Sequence, residues 1–354
     1  MRTAIVSVVV SAFVTAAFAQ QPRIANAQMQ TRSAASGLEP ALQSVLSSQS
    51  APAWIGYSVP IVPGDHQSCC WNNGVMGGCS LEPRRSDNTT IVSGNRTVQL
   101  EGATQLTVLL RAEGNKIGKV RTFTPDCDLD AGGLPFYWLS DVKPAESIRY
   151  LTALAKNSAG TRDDERRNES AVSAMAMHAD SSADGALESL AAPAQPDSLR
   201  RKAIFWLGNA RGRRGYEVLS RIVREDPNDK IREHAVFALT QSKDPEAIQT
   251  VIRVAREDKV PKVRGQALFW LAQRAGRKVA EAELNHAIEN DPETEVKKKA
   301  VFALTQIPEN DGVPMLIQIA RSNRNPAVRK QAMFWLGQSK DPRALSFFEE
   351  VLTR

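Results

Sequence analysis

Four cysteines, Cys69, Cys70, Cys79 and Cys127, are the side chains best suited to covalent or metal chemistry, and all lie in the first half of the chain. An even number clustered in one small region predicts two disulfides. Sequence neighbours rarely meet disulfide geometry, so Cys69 and Cys70 are each expected to pair with Cys79 or Cys127. His66 precedes Cys69 at a usable ligand spacing, which makes His66, Cys69, Cys79 and Cys127 the alternative metal set. No paired C-x-x-C knuckles accompany them, and no metal centre is expected. Asp126, Asp128 and Asp130 alternate like the start of a calcium loop, but no glutamate closes the loop at its twelfth place. A turn capped by carboxylates is the expectation there.

Catalytic patterns are missing from the sequence. The histidines His66, His178, His234 and His286 form no H-x-x-x-H pair. No G-x-S-x-G elbow or phosphate-binding loop occurs. His234 occupies a helical position filled elsewhere by Lys202, Gln266, Lys299 and Gln331, so it is expected on a solvated face. No catalytic residue and no cofactor are expected.

The remaining chemistry is charge. Arg200, Arg232, Arg264, Lys297 and Arg329 recur at one register position, each one residue after Leu199, Ile231, Val263, Val296 and Val328. Asp226, Asp258 and Asp291 stand five residues before that apolar series. One reading is an Asp–Arg ladder running along a stack, which orients more than it stabilises. The other is a basic groove. From Leu199 onward the chain has 29 Lys and Arg against 20 Asp and Glu, and Lys298 adds to the density. Such a groove suits a protein partner with an acidic surface. Arg200, Arg232, Arg264, Lys297, Lys298 and Arg329 are the candidate contacts.

The elements behind these positions announce themselves by repetition. Ala203-Ile204-Phe205-Trp206-Leu207 returns at Ala235, Ala267, Ala300 and Ala332, at spacings of 32, 32, 33 and 32 residues. A fixed period of this size means a solenoid whose units bury their apolar faces against neighbours. Ile231, Ala235, Ala238 and Leu239 form an inward stripe on a first helix, with Asp226-Pro227 as its expected cap. Asp244-Pro245 and Asp341-Pro342 are expected to cap second helices in the same way. Each unit is therefore a helical hairpin. A degenerate first unit runs from Ala171 to Met177, with Ala186 to Leu190 as its partner helix.

Val263-Arg264-Gly265-Gln266-Ala267 with Trp270-Leu271, and Ile231-Arg232-Glu233-His234-Ala235 with Ala238-Leu239, resemble the HEAT-repeat helix pattern. The short period is similar to that of the phycobilisome-lyase subclass. The resemblance covers residues 170–354. It implies an α-solenoid used as scaffold, subunit or occasional enzyme. The leading half resembles that of exported bacterial HEAT-repeat proteins.

Two apolar rows follow from the repeat. Trp206, Ala238, Trp270, Ala303 and Trp335 alternate large with small, which predicts jigsaw packing rather than an open cleft. Phe205, Phe237, Phe269, Phe302 and Phe334 lie one residue before, about 120° off the stripe. They are expected between layers; exposed, they would form a ridge marking a partner site.

The first half reads differently. Arg2, the apolar run Ala4 to Phe18 and Ala17-Phe18-Ala19 predict a cleaved signal peptide over residues 1–19. No later run approaches membrane-spanning length. Residues 20–50 read as a mobile leader with a short helix from Leu38 to Leu46. Residues 51–142 read as a small β-rich, disulfide-bonded domain, with strands at Ser58–Val62, Thr97–Leu100, Gln105–Val108 and Lys119–Phe123. Residues 143–169 read as a helix, Ala145 to Lys156, followed by a charged loop. The functional expectation is a non-catalytic protein-binding scaffold or adaptor of the bacterial envelope, periplasmic or secreted, without nucleic acid and without a transmembrane segment after signal cleavage. The alternatives are a lyase-like enzyme or chaperone acting on a protein, and a structural spacer.

Overall fold

The computed structural model describes residues 21–64, 66, 68–72, 75–83, 102–157, 160–307 and 312–353. The expected signal peptide and the expected strand Thr97–Leu100 lie outside them.

The first half is built on a five-stranded mixed sheet. Its members are β2 (Gln28–Ser33), β3 (Ala53–Pro60), β7 (Gln105–Glu113), β8 (Lys116–Phe123) and β10 (Pro135–Ser140), in the order β2-β10-β3-β7-β8. β10 runs parallel to β2 and to β3; β3, β7 and β8 are antiparallel neighbours. A three-stranded parallel patch joins β1 (Ile24–Ala25), β9 (Leu129–Asp130) and β6 (Cys79–Ser80). β4 (Cys70–Asn72) pairs with β5 (Val75–Gly77). Two helices accompany the sheet, α1 (Leu38–Ser48) and α2 (Pro144–Lys156).

Side-chain alternation divides the sheet. Ile55, Tyr57, Val108, Leu110, Tyr137 and Leu139 join the helix-side core. Trp54, Leu109, Phe136 and Trp138 point to the other face, over Cys79 and Cys127. Cys69 is bonded to Cys127 and Cys70 to Cys79, which selects one of the two open pairings.

The mobile leader expected at residues 20–50 is corrected. β1 and β2 are sheet members, and α1 buries Leu38, Leu42, Val45 and Leu46. β2 is an exposed edge strand whose one apolar residue, Met29, faces solvent, and its partner β10 is over one hundred residues away in the chain, so no local pattern marks it. The charged loop expected at 157–169 is corrected as well. A helix starts at Arg162, where the Thr161 hydroxyl accepts the Asp164 N–H at 3.1 Å.

Six hairpins then stack: α3 (Arg162–Ala176) with α4 (Ser182–Ala191), α5 (Asp197–Ala210) with α6 (Gly212–Glu225), and α7 (Asp229–Gln241) with α8 (Ala247–Glu257). They continue as α9 (Pro261–Arg274) with α10 (Arg277–Asn290), α11 (Thr294–Leu304) with α12 (Val313–Ser322), and α13 (Pro326–Gln338) with α14 (Pro342–Leu352). The phrase residues Ala203, Ala235, Ala267, Ala300 and Ala332 are fully buried, as the stripe requires. Helices approach closely where the side chain vanishes: a Cβ on Gly208 of α5 would lie 2.1 Å from the Ala238 carbonyl oxygen of α7.

Sheet and array share one continuous core, and α3 packs on β8. The seam is hydrogen-bonded. Ile61 bridges His178, Val62 N–H donates to Met177 O at 2.9 Å, and Ala179 N–H donates to Pro60 O at 2.9 Å. Arg211 clamps the turn from beyond α5, donating to the carbonyls of Ala176, His178 and Asp180 and to Asp184.

Candidate functional site

The basic row is interior. Arg232 on α7 donates to both carboxylate oxygens of Asp258 at 2.9 and 3.0 Å, and to the Asp226 carbonyl at 2.9 Å. Arg264 on α9 repeats this with Asp291 at 2.8 and 2.9 Å and the Asp258 carbonyl at 2.8 Å. Arg200 on α5 reaches Asp226 and the Ala191 carbonyl. Each arginine thus ties the loop before its own helix to the loop that opens the next repeat. Each aspartate also accepts the N–H two residues on, as Asn228 to Asp226 at 3.0 Å and Val260 to Asp258 at 2.8 Å. Asp226 is therefore the ladder carboxylate, and Asn228 takes the α7 cap assigned to it from the sequence.

Arg200, Arg232 and Arg264 are 2%, 2% and 7% exposed, which removes them from any partner surface. Desolvating a guanidinium is tolerated here because the carboxylate and carbonyls use its donors in a fixed fork. The row weakens at its end. Lys297 stands in place of arginine and donates to the Glu289 carbonyl at 2.8 Å; Asn323 stands in place of aspartate. Lys298 pairs with Glu295 on its own helix at 3.0 Å, and Arg329 donates to the Asn323 carbonyl at 2.7 Å. The six expected contacts form no basic groove.

The first helices instead present an aromatic strip. Phe205 stacks on Phe237 at 6.2 Å and 19°, and Phe269 on Phe302 at 6.1 Å and 7°. Between these pairs the indoles bridge: Phe237 meets Trp270 at 4.7 Å, and Phe302 meets Trp335 at 4.9 Å. Each of these indoles leans on the repeat that carries Ala238 or Ala303, so large against small is packing, as the alternation predicts. The rings are nonetheless half-buried rather than enclosed, and Phe334 is 53% exposed. The Phe row is both interlayer contact and accessible ridge. The Nε1 atoms of Trp270 and Trp335 are enclosed without an acceptor among the described residues.

Two polar rows border the rings. Three residues after each Trp or Ala position stands an amide: Asn209, Gln241, Gln273, Gln306 and Gln338. Asn209, Gln273 and Gln338 are exposed, and Gln241 and Gln306 half-exposed. This row was readable from the fixed spacing but is not among the sequence expectations. On the other border are Lys202, His234, Gln266, Lys299 and Gln331. The four rows span about 100° of helix surface. They hold no carboxylate, in a chain that is 24% charged. His234 is corrected from a solvated residue: it is half-buried, its Nε2 lies 2.9 Å from the Arg201 carbonyl, and burial lowers its pKa.

The other candidates gather no chemistry. Asp128 pairs with Arg23 at 2.8 Å, and Asp130 accepts the Gly132 N–H at 2.8 Å, as a capped turn does. Among the described residues the metal-type cluster is Cys69, Cys79 and Cys127, all disulfide-bonded. His66 sits apart, with Nε2 3.3 Å from the Pro63 carbonyl. Buried His178 is linked through Nε2 to Ser147 Oγ at 2.9 Å, and Ser147 to Tyr57 at 2.8 Å. All three are closed off within the seam, where burial pushes the His178 pKa down to about 4. A groove of about 990 Å³ runs between α1, α2, α3 and the β7–β8 hairpin. Several of its charges are committed within the fold: Glu146 accepts the Leu38 N–H at 2.9 Å, and Arg167 binds Asp164 and the Asn157 carbonyl. Burial raises the pKa of Tyr150 in its wall to about 12.

Comparison with known proteins agrees with the helical half. Residues 183–272 and 281–354 match the family model of HEAT repeats. The array is built of HEAT repeats. No curated protein matches the sequence. Among solved structures, the CpcE–CpcF complex of phycocyanin lyase from Nostoc sp. PCC7120 is similar at 20% identity and a TM-score of 0.31, covering 56% of this chain and 77% of that one. Human deoxyhypusine hydroxylase in complex with glycerol is similar at 15% identity and a TM-score of 0.25, covering 58% and 90%. Overlaps this loose carry no functional weight. Among the described residues no helix is long and apolar enough to cross a membrane.

Proposed function

We propose that this chain is a non-catalytic scaffold that docks a polypeptide along the aromatic strip of its HEAT repeats. One observation carries the reading: half-exposed aromatics continue from α5 to α13 within four rows that themselves hold no carboxylate. Charge depletion with aromatic enrichment is the compositional mark of an interface core. The leading residues Arg2 and Ala4 to Phe18 favour export to a bacterial envelope as the place of action. Site-specific photocrosslinking tests the docking face. A crosslinker at exposed Gln273 should capture a discrete polypeptide from native envelope fractions, and one at exposed Lys278, on α10, should not. Equal capture from both positions, or none from Gln273, sinks the proposal.

A further inference from the structure

We infer that the strip takes a proline-rich segment in the polyproline II conformation. This rests on reading the strip as a docking face and specifies its ligand. The first argument is spacing. Stacked helices lie roughly 8–10 Å apart. A polyproline II helix repeats every three residues at about 3.1 Å each, or about 9 Å per turn. One turn therefore advances one repeat, and every third residue meets the same rows. A β-strand repeats at about 6.7 Å and an α-helix at about 5.4 Å, both short of that helix spacing.

The second argument is hydrogen bonding. A polyproline II backbone makes no internal hydrogen bonds, and proline contributes carbonyls without N–H groups. Its partner must donate, and the amide row supplies side-chain N–H donors at one per repeat. Two of them are held in place. Gln241 Nε2 donates to Thr240 Oγ1 at 3.2 Å and Gln306 Nε2 to Thr305 Oγ1 at 2.9 Å, which leaves one N–H of each amide for a ligand. Both threonine hydroxyls are themselves anchored, on the Phe237 and Phe302 carbonyls at 2.7 Å.

The third argument is charge. An acidic segment would call for free cations on the face and a basic one for carboxylates. The rows offer Lys202, which pairs with Glu169 at 3.1 Å, and Lys299, and no acid. An uncharged, ring-bearing ligand matches half-exposed Phe and Trp faces, and its preset φ lowers the entropy lost on docking.

The test uses the full chain and a dye-labelled oligoproline of roughly fifteen residues, five rungs at three residues each. Fluorescence anisotropy should show saturable binding, and a Gly-Ser peptide of equal length should not bind. Gln273→Ala and Gln306→Ala should each weaken binding about fivefold at an unchanged melting temperature. Absence of saturable binding, equal binding of the Gly-Ser peptide, or wild-type affinity in both variants overturns the inference. Crosslinking at Gln273 that succeeds while oligoproline fails leaves the docking face standing and removes only the ligand class. Failure of both removes both.

Discussion

At the scale of single residues, burial decides what the charged groups do. Arg232 shows why the sequence misled: five cations at one register read equally as a surface row or as a ladder, and only the folded chain shows which. The three aspartates spaced before the apolar series were the legible clue. Because Arg232 is nearly fully buried, Asp258→Asn should cost about 3–5 kcal/mol by leaving a guanidinium uncompensated. Urea unfolding measures it, and a loss below about 1 kcal/mol would return Arg232 to the surface-pair class. His178 gives the pH dependence. Its pKa falls from 6.5 in the open chain to about 4 in the fold. The unfolded chain therefore takes up the proton first as pH drops. Stability is complete above about pH 6.5, and falls by about 2–3 kcal/mol on the way to pH 4.5. In a His178→Gln variant the difference between pH 7 and pH 4.5 should shrink by that amount; an unchanged difference would assign the acid sensitivity to other groups.

At the scale of elements, the repeat phrase was legible because every unit buries the same stripe against the same neighbours. The strands β1 and β2 were not, because an edge strand paired in parallel to a distant partner has no apolar alternation of its own. The helix at Arg162 was hidden by its charge: Asp164 and Arg167 satisfy each other inside the fold, whereas in sequence they read as solvated. Two substitutions test how helices sit on one another. Trp270→Ala removes the indole that closes over the Ala238 repeat and should cost about 3 kcal/mol, seen as a lower melting temperature. Gly208→Ala places a methyl against the α7 backbone and should cost about 1–3 kcal/mol, despite alanine's better helix propensity. A neutral result there would mean that α5 and α7 separate freely.

At the scale of the whole molecule, the two ends of the array differ. The sheet covers the α3 end and shares its core, so it serves as the cap a solenoid needs. The other end leaves Met333, Phe334, Leu345, Val351 and Leu352 exposed. Binding function was less legible than fold. The rings were visible in the sequence, but their half-exposure depends on how far the helices splay, which no local pattern encodes. The ladder has a mechanical consequence. Bidentate rungs bolt the hairpins from α7 to α11, a single Arg200–Asp226 contact precedes them, and the joint before α13 has Lys297 and Asn323 in their place. The array is then stiffest between α7 and α11 and most compliant at the joint before α13. A load entering through α13 and α14 is absorbed as bending at that joint, while the rings between Phe205 and Phe302 keep their alignment.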